Sequence, residues 1–245
     1  VTTLAGLAKS FGSIDGIGTA ARFDFPRGVA VDNAGNVYVA DNSNHNIRKI
    51  TTGGLVSTLA GLPGNASADG TGNAARFDFP SGVAVDRAGI VYVTDSHNNT
   101  IRKISLGGVV STLAGSQGNG GSADGTASTA RFKDPQGIAV DSAGITYVAD
   151  YSNHTIRKIT PSGVVSTLAG SPGIAGTTDA TGNGARFNAP YGVAVDSGGI
   201  VYVSEYGNDI SQSHIRKITP AGVVTTLAGS TYGFTDGTGT TAQFS

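Results

Sequence analysis

Gly28-Val29-Ala30-Val31-Asp32, then Tyr38-Val39-Ala40-Asp41, then Ile47-Arg48-Lys49-Ile50, then Thr58-Leu59-Ala60-Gly61: this succession decides the fold. Each member is a short β-branched or aromatic run bounded by Gly, Asp, Asn or Pro, the pattern of a strand between turns. The whole succession then returns. Gly-Val-Ala-Val-Asp recurs at Gly82–Asp86 and Gly192–Asp196, with Gly-Ile-Ala-Val-Asp at Gly137–Asp141. Tyr-Val recurs at Tyr92, Tyr147 and Tyr202, and Ile-Arg-Lys-Ile at Ile101, Ile156 and Ile215. The glycine of Thr-Leu-Ala-Gly falls at Gly6, Gly61, Gly115, Gly170 and Gly229, a spacing of 55, 54, 55 and 59 residues. A fixed period of this length marks a repeat architecture and changes the meaning of every local motif.

Connection lengths set the topology. Tight turns such as 32–36 and 51–54 join the first run to the second and the third to the fourth, so neighbouring runs, lettered a to d in chain order, pair as antiparallel hairpins. Apolar residues lie on both faces of strand a, Val29 and Val31 on one and Ala30 on the other, so each sheet must be covered on both sides. Like sheets stacked face to face satisfy that requirement, and four-stranded sheets repeated radially make a β-propeller. The expected fold is therefore all-β, with four complete antiparallel blades over residues 24–61, 78–115, 133–170 and 188–229, and an extra outer strand at 1–6. Four copies of a, b and c against five of d do not close a ring. A larger, six-bladed ring is the expectation, its remaining blades coming from a longer chain or from self-association.

Ala-Arg-Phe followed by Pro, then Gly-Val-Ala-Val-Asp, Tyr-Val-Ala-Asp, Asn-His and Ile-Arg-Lys-Ile resembles the NHL-repeat β-propeller family, and the resemblance spans essentially the whole chain. Members of that family include protein-binding and RNA-binding modules, lyase-like enzymes and many secreted or surface bacterial proteins. The resemblance thus implies an architecture and leaves the chemistry to the residues.

Composition narrows the chemistry. Sixteen Lys+Arg against 17 Asp+Glu leave a net charge of −1, which offers no field for a polyanion, so no nucleic-acid partner is expected. The absence of Cys removes disulfides, thiol nucleophiles and thiolate-bound zinc. No apolar run approaches the roughly 18 residues that span a bilayer, so no membrane insertion is expected. A chain that starts at Val1 and holds no Met reads as a processed or excised segment.

The b–c and d–a connections share one face of each blade, and they are long and differ from unit to unit, whereas the a–b and c–d turns are short and alike. Among the b–c segments the fourth is distinctive: Glu205 to Ile215 spans ten positions where Asp41 to Ile47 spans six. The candidate binding residues are accordingly Tyr151, His154, Glu205, Tyr206, Asn208, Asp209 and His214. No catalytic residue, metal or cofactor is assigned. His45, His154 and His214 occupy equivalent positions, with Asn99 in the second unit, and read as hydrogen-bonding groups rather than a metal ring. Asp41, Asp95, Asp150 and Glu205 end strand b, and Arg22, Arg76, Arg131 and Arg186 recur in Ala-Arg-Phe; one hydrogen-bonded pair per blade is expected, fixing each loop or joining adjacent blades. In the Asp-Gly-Thr-Gly loops the glycines are expected to take positive φ, with the Asp bonding to nearby amides. The function expected is a noncatalytic binding or structural module of an extracellular or cell-surface protein that contacts protein or glycan through the b–c and d–a face. The alternative is a lyase or hydrolase with its site at the channel mouth.

Overall fold

The computed structural model of the chain describes residues 1–207 and 213–244. It contains two compact units, Val1–Asn119 and Gly120–Ser245, each holding two antiparallel sheets of propeller-blade type. In the first unit, blade 1 comprises β1 (Gly16–Ile17), β2 (Pro26–Val31), β3 (Val37–Asp41), β4 (Asn46–Ile50) and β5 (Leu55–Ala60), in the order β1-β5-β4-β3-β2. Blade 2 repeats this with β6 (Gly70–Thr71), β7 (Pro80–Val85), β8 (Val91–Asp95), β9 (Thr100–Ile104) and β10 (Val109–Gly115). In the second unit, blade 3 comprises β11 (Gly125–Thr126), β12 (Pro135–Val140), β13 (Thr146–Asp150), β14 (Thr155–Ile159) and β15 (Val164–Gly170). Blade 4 has four strands, β16 (Pro190–Val195), β17 (Val201–Glu205), β18 (Ile215–Ile218) and β19 (Val224–Ala228). The helical elements among the described residues are 3-10 turns of three residues. The fold is all-β.

Residues 1–6, expected to add an outer strand, carry no strand. Outer strands arise elsewhere: the Asp-Gly loop at Asp15, Asp69 and Asp124, ahead of each of the first three blades, lays two residues along strand d, as where Gly16 faces Val56 and Ile17 faces Leu55.

Within each unit the two blades pack face to face. In the first, Tyr38, Ala40, Ile47 and Ala60 of blade 1 meet Val83, Val91, Val93 and Ile104 of blade 2, with Ala75 and Phe77 of the connecting loop between them. In the second, Tyr147, Ala149, Ile156 and Ala169 meet Val201, Val203 and Ile218 around Ala185 and Phe187. Blades 1 and 2 approach so closely that a Cβ on Gly28 would lie 2.5 Å from the Ser81 carbonyl oxygen, which is why the third residue of that strand a is glycine. Pro26 pairs with Asp41 and Ile47 with Ala60, so the b–c and d–a connections leave the blade at the same end. Tyr151, His154, Glu205, Tyr206 and His214 therefore lie at that end.

Candidate functional site

A buried arginine holds each loop to its blade. Arg48, the arginine of Ile-Arg-Lys-Ile, is 0% exposed and sits with its guanidinium carbon 5.0 Å from the centroid of the Phe23 ring. Its Nη1 donates to Asp41 Oδ2 at 2.8 Å and to the Arg22 carbonyl at 2.8 Å, while Nη2 donates to Asp15 Oδ1 at 2.7 Å and to the Ile14 carbonyl at 3.0 Å. The same clamp recurs as Asp95–Arg102–Asp69 under Phe77, Asp150–Arg157–Asp124 under Phe132, and Glu205–Arg216–Asp179 under Phe187. The expected carboxylate is right and the expected arginine is not. Arg22, Arg76, Arg131 and Arg186 turn back onto carbonyls of their own loops, as Arg22 Nη1 does onto Thr19 and Ala21, and contribute a backbone carbonyl to the clamp. The Asp of Asp-Gly-Thr-Gly likewise bonds far along the chain: Asp69 accepts from the Thr112 amide at 3.2 Å and its hydroxyl at 3.0 Å.

The inner and outer carboxylates differ in environment. Burial raises Asp95 and Asp150 to about 6 against the pull of their arginines. Asp150 remains an acceptor on both oxygens, from the Lys133 amide at 2.8 Å and from Asn153 Nδ2 and Arg157 Nη1 at 2.7 and 2.8 Å. Glu205 is raised by burial to about 7. It accepts from the Asn188 amide at 2.7 Å and Arg216 Nη1 at 3.1 Å, and at 4% exposure it serves the clamp rather than acid–base work. Asp15, Asp69 and Asp179 are half-exposed, and their bonds to threonine and arginine outweigh burial and lower them.

The histidines at equivalent positions close the b–c turn. His45 and His154 adopt the left-handed conformation at φ 54° and 58°, as Asn99 does at 56°. His45 Nδ1 accepts from the Phe79 amide at 3.2 Å and His154 Nδ1 from the Ala189 amide at 3.1 Å, each tying one blade to the loop entering the next. Because His45 Nδ1 is an acceptor, its 3.6 Å approach to Asp78 is not an ion pair, and burial lowers the pKa of both rings. His214 lies 3.7 Å from Glu205 Oε2, and Asn208 and Asp209 fall outside the described residues. No three His, Asp or Glu side chains among the described residues gather into a metal-holding group.

The clamp leaves three positions per blade that are free to differ: the residue before the proline of strand a, the residue after it, and the residue after the clamp carboxylate. In the first unit these are Phe25, Arg27 and Asn42, then Phe79, Ser81 and Ser96; in the second, Asp134, Gln136 and Tyr151, then Ala189, Tyr191 and Tyr206. The residues before proline are strained, with φ of 47° at Phe25, 48° at Phe79, 52° at Asp134 and 51° at Ala189, where proline disfavours any helical-type neighbour. In the second unit these positions form an aromatic corner. The Tyr191 ring centroid lies 6.2 Å from Tyr151 at an interplanar angle of 85° and 6.1 Å from Tyr206 at 40°. Burial first, then the nearby Asp134 carboxylate and the other two tyrosines, raise the Tyr151 hydroxyl. Sequence reasoning marked Tyr151 and Tyr206 and missed Tyr191, Asp134 and Gln136. Aligning the residues on either side of each strand-a proline would have found them.

Comparison with known proteins fits this geometry. An NHL-repeat model matches residues 23–50 and 77–104, and a teneurin NHL-domain model matches 118–184. The chain belongs to the NHL-repeat β-propellers. Teneurin-4 of Mus musculus is 30% identical over 234 residues, covering 84% of this chain and 8% of that protein. NHL repeat-containing protein 2 of Bos taurus is 26% identical over 288 residues, covering 80% of this chain and 40% of that one. The chain thus spans well under half the length of these NHL relatives. Among solved structures, an auxiliary nutrient binding protein from Bacteroides ovatus aligns over 100% of this chain and 68% of its own, at 17% identity and a TM-score of 0.56, a likeness of fold.

Proposed function

We propose that this NHL propeller is a noncatalytic binding module of an extracellular or cell-surface protein and that it contacts a protein or a glycan through the b–c and d–a loop face. One observation carries the reading. The residues that repeat are spent on architecture, while three positions per blade at the loop end vary freely and, in the second unit, gather three tyrosines, of which the central Tyr191 is 37% and Tyr206 70% exposed. The opposite end of the blades supports the contrast. There Asp32, Asp86, Asp141 and Asp196 each accept from the amides two and four residues on and from a strand-b tyrosine, the same turn four times over. Chemistry needs different roles at neighbouring positions, and the ionisable groups near the loop end, Glu205 foremost, are held in the clamp.

Tyr151, His154, Glu205, Tyr206 and His214 enter this proposal in two roles. Tyr151 and Tyr206 make contact, His154 and Glu205 hold the loops that present them, and His214 lies beside Glu205 without bonding it. The test displays the protein against arrayed glycans and purified extracellular-matrix proteins, beside a variant with Tyr151 and Tyr206 replaced by Ser and one with Asn33 and Arg87 of the opposite turns replaced by Ser. Loss confined to the tyrosine variant supports the reading. Equal binding by all three, or turnover of an arrayed substrate, overturns it.

A further inference from the structure

We propose that His45 is an acid-sensitive latch between blades 1 and 2: its Nδ1 accepts the Phe79 amide when the ring is neutral and donates to Asp78 Oδ1 when the ring is protonated, which frees Phe79. The two partners compete for one nitrogen. Nδ1 stands 3.2 Å from the Phe79 amide nitrogen and 3.6 Å from Asp78 Oδ1. With its proton on Nε2 the neutral ring offers Nδ1 as an acceptor, whereas the imidazolium is a donor at both nitrogens. A proton taken from solvent onto Nδ1 therefore sets two N–H groups against each other, and the amide bond is lost. Asp78 Oδ1 is placed to take the new donor, since it is buried and accepts no hydrogen bond among the described residues. A buried oxygen left unmatched is costly, and a small turn of the charged ring satisfies it.

The blades that share the turn lack this set of groups. Asn99 stands in for the histidine in blade 2, and His154 of blade 3 has Asn188 at the position where His45 has Asp78. His97 likewise replaces a serine, Ser43 in blade 1 and Ser152 in blade 3, and brings a second imidazole against the Phe79 ring. The Phe79 centroid lies 4.6 Å from that of His45 and 4.5 Å from that of His97. The charged and titratable groups facing His45 are thus Asp78 of the loop entering blade 2 and His97 of the blade 2 b–c turn, while its own turn, 42–46, otherwise holds Asn and Ser. Burial is the largest influence and lowers the His45 pKa; Asp78 raises it and His97 lowers it, in that order. The exchange of partners is therefore set below the ordinary histidine value, and acidification triggers it. Phe79 precedes the strand-a proline at a loop-end position that differs from blade to blade, so its release alters the face that the first unit presents.

The full chain, isotope-labelled, is titrated from about pH 8 to about pH 4.5 and followed by NMR at the His45 ring nitrogens and the Phe79 amide. The expected result is a neutral ring carrying its proton on Nε2, which gains the second proton below the midpoint of a free histidine. At that same midpoint the Phe79 amide loses at least tenfold of its protection from hydrogen exchange. In Asp78→Asn the ring midpoint falls and the Phe79 bond persists to lower pH; in His97→Ser the midpoint rises; in His45→Asn the Phe79 amide no longer responds to pH. Each substitution installs the residue that another blade holds at that position, and circular dichroism confirms that each variant folds. A Phe79 amide that keeps its protection while the ring gains its proton, an unchanged midpoint in Asp78→Asn, or a ring that stays neutral until the chain unfolds overturns the inference.

Discussion

Blades 3 and 4 face each other in one unit and solve the same problem with different means. In blade 3, Asp150 takes three donors and Asn153 Nδ2 reaches on to the Gly121 carbonyl, so loop, turn and strand are knotted together. In blade 4 the b–c segment is longer, the carboxylate is one methylene longer, and Arg216 still meets Glu205, Asp179 and the Phe187 ring. His154 turns left-handed to accept an amide from the adjoining blade, whereas His214 Nδ1 is buried without a hydrogen bond among the described residues. The arginine and phenylalanine are thus the fixed parts of the device, and the carboxylate arm is the part that stretches when a loop grows.

Removing the arginine should split the two blades most. Arg157→Met leaves Asp150 buried without its cation, an expected loss of about 3–5 kcal/mol in denaturant unfolding at neutral pH. Arg216→Met should cost visibly less, because Glu205 already stands near neutrality and can take a proton. Equal losses would erase the distinction.

Titration gives the next largest contrast. The Glu205 carboxyl should titrate at about 7, above Asp150 at about 6, when both side-chain carboxyl carbons are followed by NMR. A carboxyl whose folded pKa exceeds its unfolded value supports the fold below the unfolded pKa and withdraws that support as pH rises through the folded one. Glu205→Gln should therefore gain stability relative to the unsubstituted chain between about pH 5 and about pH 8. A Glu205 inflection below that of Asp150 would reverse the order proposed for the two arms.

The histidines give the smallest effect. His154→Ala loses the acceptor for the Ala189 amide, an expected cost of about 1–2 kcal/mol. His154→Asn, which copies Asn99, should stay within about 0.5 kcal/mol, and so should His214→Ala. A large loss at His214 would show that its ring supports blade 4 after all.

Most of the fold could be read because each blade spells its four strands with local patterns, and four spellings cancel the ambiguity of one. The two-residue strands could not be read in this way: Gly70-Thr71 carries no strand pattern and pairs with Val109 and Val110, whose register depends on the folded loop. The clamp was half legible. Asp41 and Arg48 are seven residues apart across a hairpin, yet Arg22, more prominent beside Phe23, drew the pairing because motif order says nothing of which guanidinium turns inward. The aromatic corner was legible in Tyr151 and Tyr206, which follow the carboxylate, and not in Tyr191, which sits in a strand that reads as pure scaffold.

The clamp grips its loop through main-chain carbonyls: Arg48 takes those of Ile14 and Arg22, and Arg102 those of Ala68 and Arg76. Every residue type carries that acceptor. Apart from one aspartate and one phenylalanine, the side chains of each loop are therefore invisible to the device that anchors it, and the loop behaves as an interchangeable cassette. A combinatorial library written into residues 174, 175 and 177, just ahead of the Thr178 and Asp179 anchors and sparing Gly173 and Gly176, should leave the scaffold intact while sampling new surfaces, which makes the repeat a ready framework for selected binders.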